Sequence, residues 1–117
     1  MICPYCKKPA EFLDNKEIYG KRYGKSYMMW ICRYCDARVG VHHNNQAHPL
    51  GTMANRELRE WRMKAHTAVD PLWKSGKISR REVYRGLDKL FGKEFHIGSS
   101  NIQECQKIIS VYKQYDK

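Results

Sequence analysis

The chain has 117 residues, of which 42% are hydrophobic and 12% aromatic. That suffices for one modest core, or for a small stapled module beside a helical part, and no run of ~18 apolar residues is present to cross a membrane. Lysine and arginine number 22 against 12 acidic residues, a formal charge of +10, which draws a small protein toward polyanions, nucleic acid first.

The first element is a Cys-x-x-Cys turn, "CPYC", holding Cys3 and Cys6. No apolar leader precedes it, so a reducing, cytoplasmic setting is expected, where cysteines act as thiols. Residues 10–13 (AEFL) read as a strand, and Asp14-Asn15-Lys16 as a turn. Gly20 and Gly24 bracket an expected hairpin tip, and residues 27–31 (YMMWI) form the returning strand. A second pair follows at Cys32 and Cys35, in "CRYC", and residues 37–42 (ARVGVH) give a third strand.

Two such turns can aim four sulfurs at one point, the tetrahedral set that suits Zn²⁺. The spacer, residues 7–31, is longer than the usual ~15–20, but an intervening hairpin accommodates it. A thioredoxin-like redox motif needs one pair opening a helix in a βαβ setting, which neither pair has. The five cysteines therefore fit four ligands and a spare. One structural Zn²⁺ on Cys3, Cys6, Cys32 and Cys35 is expected, in a closed site with no position for water. An iron or Fe–S site is the rival metal reading. Cys105 stands apart among Ile102, Ile108 and Ile109 and reads as a buried small apolar residue.

Residues 43–51 (HNNQAHPLG) read as a linker. The expected layout is a zinc ribbon over 1–42, this linker, and a helical domain over 52–117, the whole one rigid unit. Trp30, Trp61 and Trp73 are the candidates for the joint. Thr52 is placed to cap a helix over about 53–69, with Leu58, Trp61, Ala65, Val69 and Leu72 at helical spacing, and Asp70-Pro71 is expected to end or kink it. Ser79 with Glu82 forms a capping box for a second helix through Phe91, with Val83, Leu87, Leu90 and Phe91 inward and Gly92 as the stop. Ser100 with Gln103 opens a third helix by the same logic. The fold class is α+β: a ribbon of a hairpin plus a third strand, packed on about three helices.

The stretch "IYGKRYGKSYMMW" interleaves Tyr19, Tyr23, Tyr27 and Trp30 with Lys21, Arg22 and Lys25. Cations hold phosphates and aromatic faces stack on bases, so this mixture suits nucleic acid; ordinary strand tyrosines and solubilising lysines would look the same. Arg59 and Arg62 lie three apart on one helix side, and Arg80 and Arg81 on the outer side of the next. Both could be phosphate contacts or solvated faces. His42, His43 and His48 raise a metal-dependent nuclease, but no acidic residue has an obvious place beside them as base or ligand. No Gly-rich phosphate loop, nucleophile elbow or paired acids stand out, so no enzyme is expected.

The stretches "CPYC", "EIYG", "YG", "WICRYCDARVGVH", "PLGTMANRELREWRMKAH", "DPLWKSG", "SRREVY" and "HIG" followed later by "EC" resemble a phage- and bacteria-borne family of zinc-finger-containing domains. The resemblance spans nearly the whole chain. It implies zinc on the four paired cysteines and a phage or mobile-element origin, hence the cytoplasm of a bacterial host, and it implies no activity. Lys7 stands where a glycine is expected after the first turn, and "HHNNQAH" looks individual to this chain.

The leading expectation is a nucleic-acid-binding module using Lys21, Arg22, Tyr23 and Lys25 on the hairpin and Arg59, Arg62, Arg80 and Arg81 on helices. The alternatives are a phage effector that grips an acidic host protein, in defence or transcription machinery, and a metal-dependent nuclease.

Overall fold

The computed structural model describes residues 1–112, and of residues 45–47 the backbone alone; residues 113–117 of the expected helical domain lie outside the described ones. The fold is α+β, and the chain divides into two compact units, Met1–Glu57 and Leu58–Lys117.

The first unit is a four-stranded antiparallel sheet of β1 (Glu11–Asp14), β2 (Met28–Cys32), β3 (Ala37–His42) and β4 (Asn45–Pro49), in that spatial order. Phe12 sits opposite Trp30, Trp30 opposite Val39, and Cys32 opposite Ala37. Because side chains alternate along a strand, these residues share one face. Cys32 and Ala37 are buried there with Cys3 and Met53, and Trp30 and Val39 pack against them. The alternate residues Leu13, Met29 and Ile31 form a separate buried cluster covered by Ile18. Ile18 belongs to a single helical turn, α1 (Lys16–Tyr19), closed by Gly20 with φ 83°. The expected turn at residues 14–16 is therefore the entry to a helix, and the region up to β2 is a helical turn plus loop where a simple hairpin tip is expected.

The region 43–51, expected as a linker, contains β4. Its Asn- and Pro-rich composition suggests a loop, but β4 is an edge strand, and Pro49 stands at its last position, where a missing N–H costs little. Met53 and Ala54, expected to start a helix capped by Thr52, belong to the ribbon. Met53 is buried in its core, and Ala54 exchanges backbone hydrogen bonds with Arg38 at 3.0 and 3.1 Å.

The helix that follows, α2 (Arg56–Lys74), starts later than expected and runs through Pro71. Proline there removes one backbone hydrogen bond and crowds the preceding turn, at a cost of ~3 kcal/mol. The residues beyond it repay continuation: Leu72 and Trp73 pack on the core, and the Trp73 indole donates to Asp70 at 3.0 Å. In the second unit, α3 (Arg80–Phe91) begins as the sequence indicates. Ser79 accepts from the Glu82 N–H at 3.1 Å, and Gly92 closes the helix at φ 66°.

A short 3₁₀ turn (Ile97–Ser99) leads to α4 (Ile102–Tyr112), whose cap is one residue later than expected. The Asn101 side chain accepts from the Glu104 N–H at 2.8 Å, and the Glu104 carboxylate accepts from the Asn101 N–H at 3.0 Å. Asparagine caps as well as serine. Ser100 instead turns inward, donating to the Ile97 carbonyl at 2.6 Å beside the buried Cys105. Ala65, Val69, Val83, Leu87, Phe95, Ile97, Cys105 and Ile108 form the core of this unit. Trp61 and Trp73 pack against it, as Trp30 packs against the core of its own unit. Replacing Asn101 with Ala is expected to lower the stability of this unit by about 1 kcal/mol, while Gln103→Ala leaves it unchanged. Urea unfolding followed by helical circular dichroism checks both.

Candidate metal centre and the basic loop

Each cysteine pair is carried by a tight turn closed by strand-like pairing. Around the first, Ile2 bridges Pro9, the Cys3 N–H donates to the Lys8 carbonyl and the Lys7 N–H to the Cys3 carbonyl, both at 2.9 Å. Around the second, Cys32 pairs with Ala37, so Cys35 lies in the reversal between β2 and β3. Both turns place the residue after the second cysteine in the left-handed region: Lys7 at φ 65° and Asp36 at φ 51°. Glycine would meet that requirement without strain. Lys7 takes the conformation regardless, and its ammonium donates to the Pro4 carbonyl at 2.8 Å, folding back over its own turn.

The sulfurs of Cys3, Cys6, Cys32 and Cys35 all lie within 4.8 Å of one another. Cys6 Sγ and Cys32 Sγ are 3.7 Å apart. Zn–S bonds of ~2.3 Å in a regular tetrahedron require sulfur separations of about 3.8 Å. The donor set is all soft sulfur with no carboxylate among it, as zinc or an iron–sulfur centre demands, and Zn²⁺ fits as a closed four-sulfur site. All four are thiols with no disulfide between them.

The protonation pattern leads to the same reading. Burial pushes the Cys3 thiol up, but the backbone N–H groups of Cys6 and Tyr5 outweigh that and bring it down to about 7. Burial and the neighbouring thiols, Cys6 and Cys32 foremost, push Cys35 up to about 12. Burial and the hydrogen bonds within the cluster thus favour ionisation of one sulfur and oppose it at another; a divalent cation lets all four ionise together.

One zinc per chain is expected from elemental analysis of the reduced protein. Cys32→Ser should abolish stoichiometric zinc and unfold the first unit, because the ribbon has too small a core to hold itself. Lowering the pH returns protons to the sulfurs, so zinc should be released on acidification and retained at neutral pH; a chromogenic chelator reads the release.

The expected nucleic-acid residues lie in distinct settings. The segment from Tyr19 to Tyr27 is tied to the sheet by Asn15, one of few buried polar residues. Asn15 Nδ2 donates to the Tyr23 carbonyl at 3.0 Å, and its Oδ1 accepts from the Tyr23 N–H at 3.2 Å. The Asn15 N–H donates to the Tyr27 carbonyl at 2.6 Å. Arg22 donates to Asp14 at 2.7 Å and lies 4.3 Å over the Tyr27 ring. Burial pushes the Asp14 carboxyl up, but the Lys16 N–H and Arg22 together outweigh it and hold the carboxyl below its ordinary value. Lys21 lies 5.2 Å over Tyr23. Lys21 and Lys25 are exposed, and among the described residues neither pairs with a carboxylate. Arg38, which the sequence sets close to the second cysteine pair as a cation favouring thiolates, reaches from β3 to donate to the Tyr19 hydroxyl at 2.9 Å.

On the helical unit, Arg80 lies 4.6 Å over Tyr84 and 5.5 Å over Trp73, and Arg81 is exposed. Arg62, expected as a surface contact, is half-buried. Its Nε and one terminal nitrogen both donate to the Ser100 carbonyl, at 3.0 and 2.8 Å, tying α2 to the start of α4. Sequence spacing placed it beside Arg59 but could not show that a carbonyl lies within its reach. The rings of His42 and His48 stack at 5.0 Å. Among the described residues, the four cysteines alone form a cluster of three or more potential metal ligands.

Comparisons with curated proteins and with solved structures found no match. A family profile described as a zinc-finger-containing domain matches residues 1–115, almost the entire chain. With its four sulfurs within reach of one ion and that match along its length, the chain belongs to the family of zinc-finger-containing domains.

Proposed function

We propose that this protein is a non-catalytic nucleic-acid-binding module, in which zinc holds the ribbon and the Tyr19–Tyr27 segment makes the principal contact. The observation that carries the reading is the concentration of cations and half-exposed rings around one anchored segment: Lys21 over Tyr23 and the exposed Lys25 on the segment itself, with Arg38 reaching Tyr19 from β3. Ammonium groups neutralise phosphates and release their counterions, and tyrosine faces accept bases. The net charge of +10 supplies a long-range attraction for any polyanion. Arg81 and Arg59 are the expected auxiliary phosphate contacts on the helices, while Arg62 is assigned to holding the helices together.

A closed four-sulfur site leaves zinc no open position for water, which supports a structural role for the metal. The same charge could engage an acidic host protein, as a phage effector would, and one experiment separates the two.

The tagged protein, purified from its producing cell with and without nuclease, should retain nucleic acid in the untreated sample and no stoichiometric protein in either. A protein partner that survives nuclease treatment refutes the reading. In fluorescence anisotropy, affinity for an oligonucleotide should fall with salt by about 0.7–0.9 in log K per log salt for each phosphate engaged. A flat salt response, or no binding at low salt to single strand, duplex or RNA, also refutes it.

A further inference from the structure

We infer that the Tyr19–Tyr23 pair is a base-stacking site for single-stranded nucleic acid; this rests on the nucleic-acid reading above and narrows it to one strand state. The two rings meet edge to face at 5.5 Å, and they line an open cleft of about 330 Å³. Tyr19 is 45% exposed and Tyr23 51%. Such rings normally turn their apolar faces inward, and exposing them leaves a surface that another flat ring can cover.

Both rings are held in place before a ligand arrives. Asn15 fixes Tyr23 through both its N–H and its carbonyl. Arg38 fixes the Tyr19 hydroxyl and lies 5.4 Å over that ring. A site ordered before its ligand arrives avoids most of the entropy loss of binding. The charges around it match a nucleotide strand. Arg22 is held by its ion pair with Asp14; Lys21, whose ammonium lies 5.2 Å over Tyr23 at the edge of the site, and the exposed Lys25 are the cations placed to meet phosphates flanking a stacked base.

The strand state follows from which surfaces a ligand offers. In a duplex the base faces are already stacked on their neighbours, and only edges and backbone are open to a protein. A single strand presents the faces themselves. Two half-exposed rings can use a face and cannot read an edge at the bottom of a groove. DNA and RNA strands share this chemistry, so binding of either satisfies the proposal.

The test uses the zinc-loaded full chain and fluorescence anisotropy with labelled oligothymidine, oligouridine and a mixed-sequence duplex of the same length. At least one single strand should bind more tightly than the duplex. Tyr23→Leu and Tyr19→Leu should each weaken single-strand binding roughly 5- to 150-fold, the range for one lost base–aromatic stack. Tyr23→Phe keeps the ring and should bind like the parent. Lys21→Gln with Lys25→Gln should reduce the salt slope by about 1.4, for two phosphates on a single strand. Zinc stoichiometry and circular dichroism identify any variant that has lost the ribbon, and Tyr23→Phe against the parent then stands beside Tyr19→Leu. Equal affinity for duplex and single strand, or leucine variants that fold and bind like the parent, overturns the stacking site and leaves nucleic-acid binding standing. Failure to bind any of the three overturns both.

Discussion

Four sulfur atoms within 4.8 Å of one another are the constraint on which the ribbon depends. Unit charges 4 Å apart repel by about 4 kcal/mol at an effective dielectric of 20, so four thiolates without a cation drive their own turns apart. A divalent ion reverses the sign of that interaction. It ties residues 3–6 to residues 32–35, which otherwise meet through the sheet and the small core that Cys3 and Cys32 share with Ala37 and Met53. Lys7 and Asp36 hold backbone conformations that side-chain-bearing residues seldom adopt. Such strain persists where the surrounding structure over-determines it, as a four-point ligation does.

The metal side and the proposed binding side are opposite faces of the same strand. Along β2, Trp30 and Cys32 face the cysteine cluster, whereas Met29 and Ile31 face Leu13 and Ile18. Ile18 lies in the helical turn that launches the basic loop, and Arg38 reaches the tyrosine of that turn from β3. The sheet is thus a plate with the cysteine cluster on one surface and the support of the basic loop on the other, and any loosening of β2 is felt on both.

The parts legible in the sequence were those whose chemistry is local. Cysteine spacing declares its own geometry, ARVGVH reads as a strand, and Ser79-x-x-Glu82 with Gly92 marks both ends of α3. The misread parts were decided by distant partners. β4 carries a loop-like composition and becomes a strand because β3 offers an open edge. α2 continues past Pro71 because Leu72 and Trp73 find a core. Arg62 has the spacing of a surface cation and the contacts of a strut, because the Ser100 carbonyl approaches it from 38 residues away. Asn15 reads as a turn residue and Arg38 as a strand cation near the cysteines; their grips on Tyr23 and Tyr19 exist only once the loop is folded.

The anchoring by Asn15 has a wider implication. It grips the backbone of Tyr23 and Tyr27 and makes no demand on their side chains. The segment is clamped by its backbone, so its outline depends on Asn15 and on the left-handed Gly20 and Gly24 more than on its exposed side chains. On the proposed reading, substitutions at exposed positions of this segment would change what it contacts while the Asn15 backbone anchor stays in place.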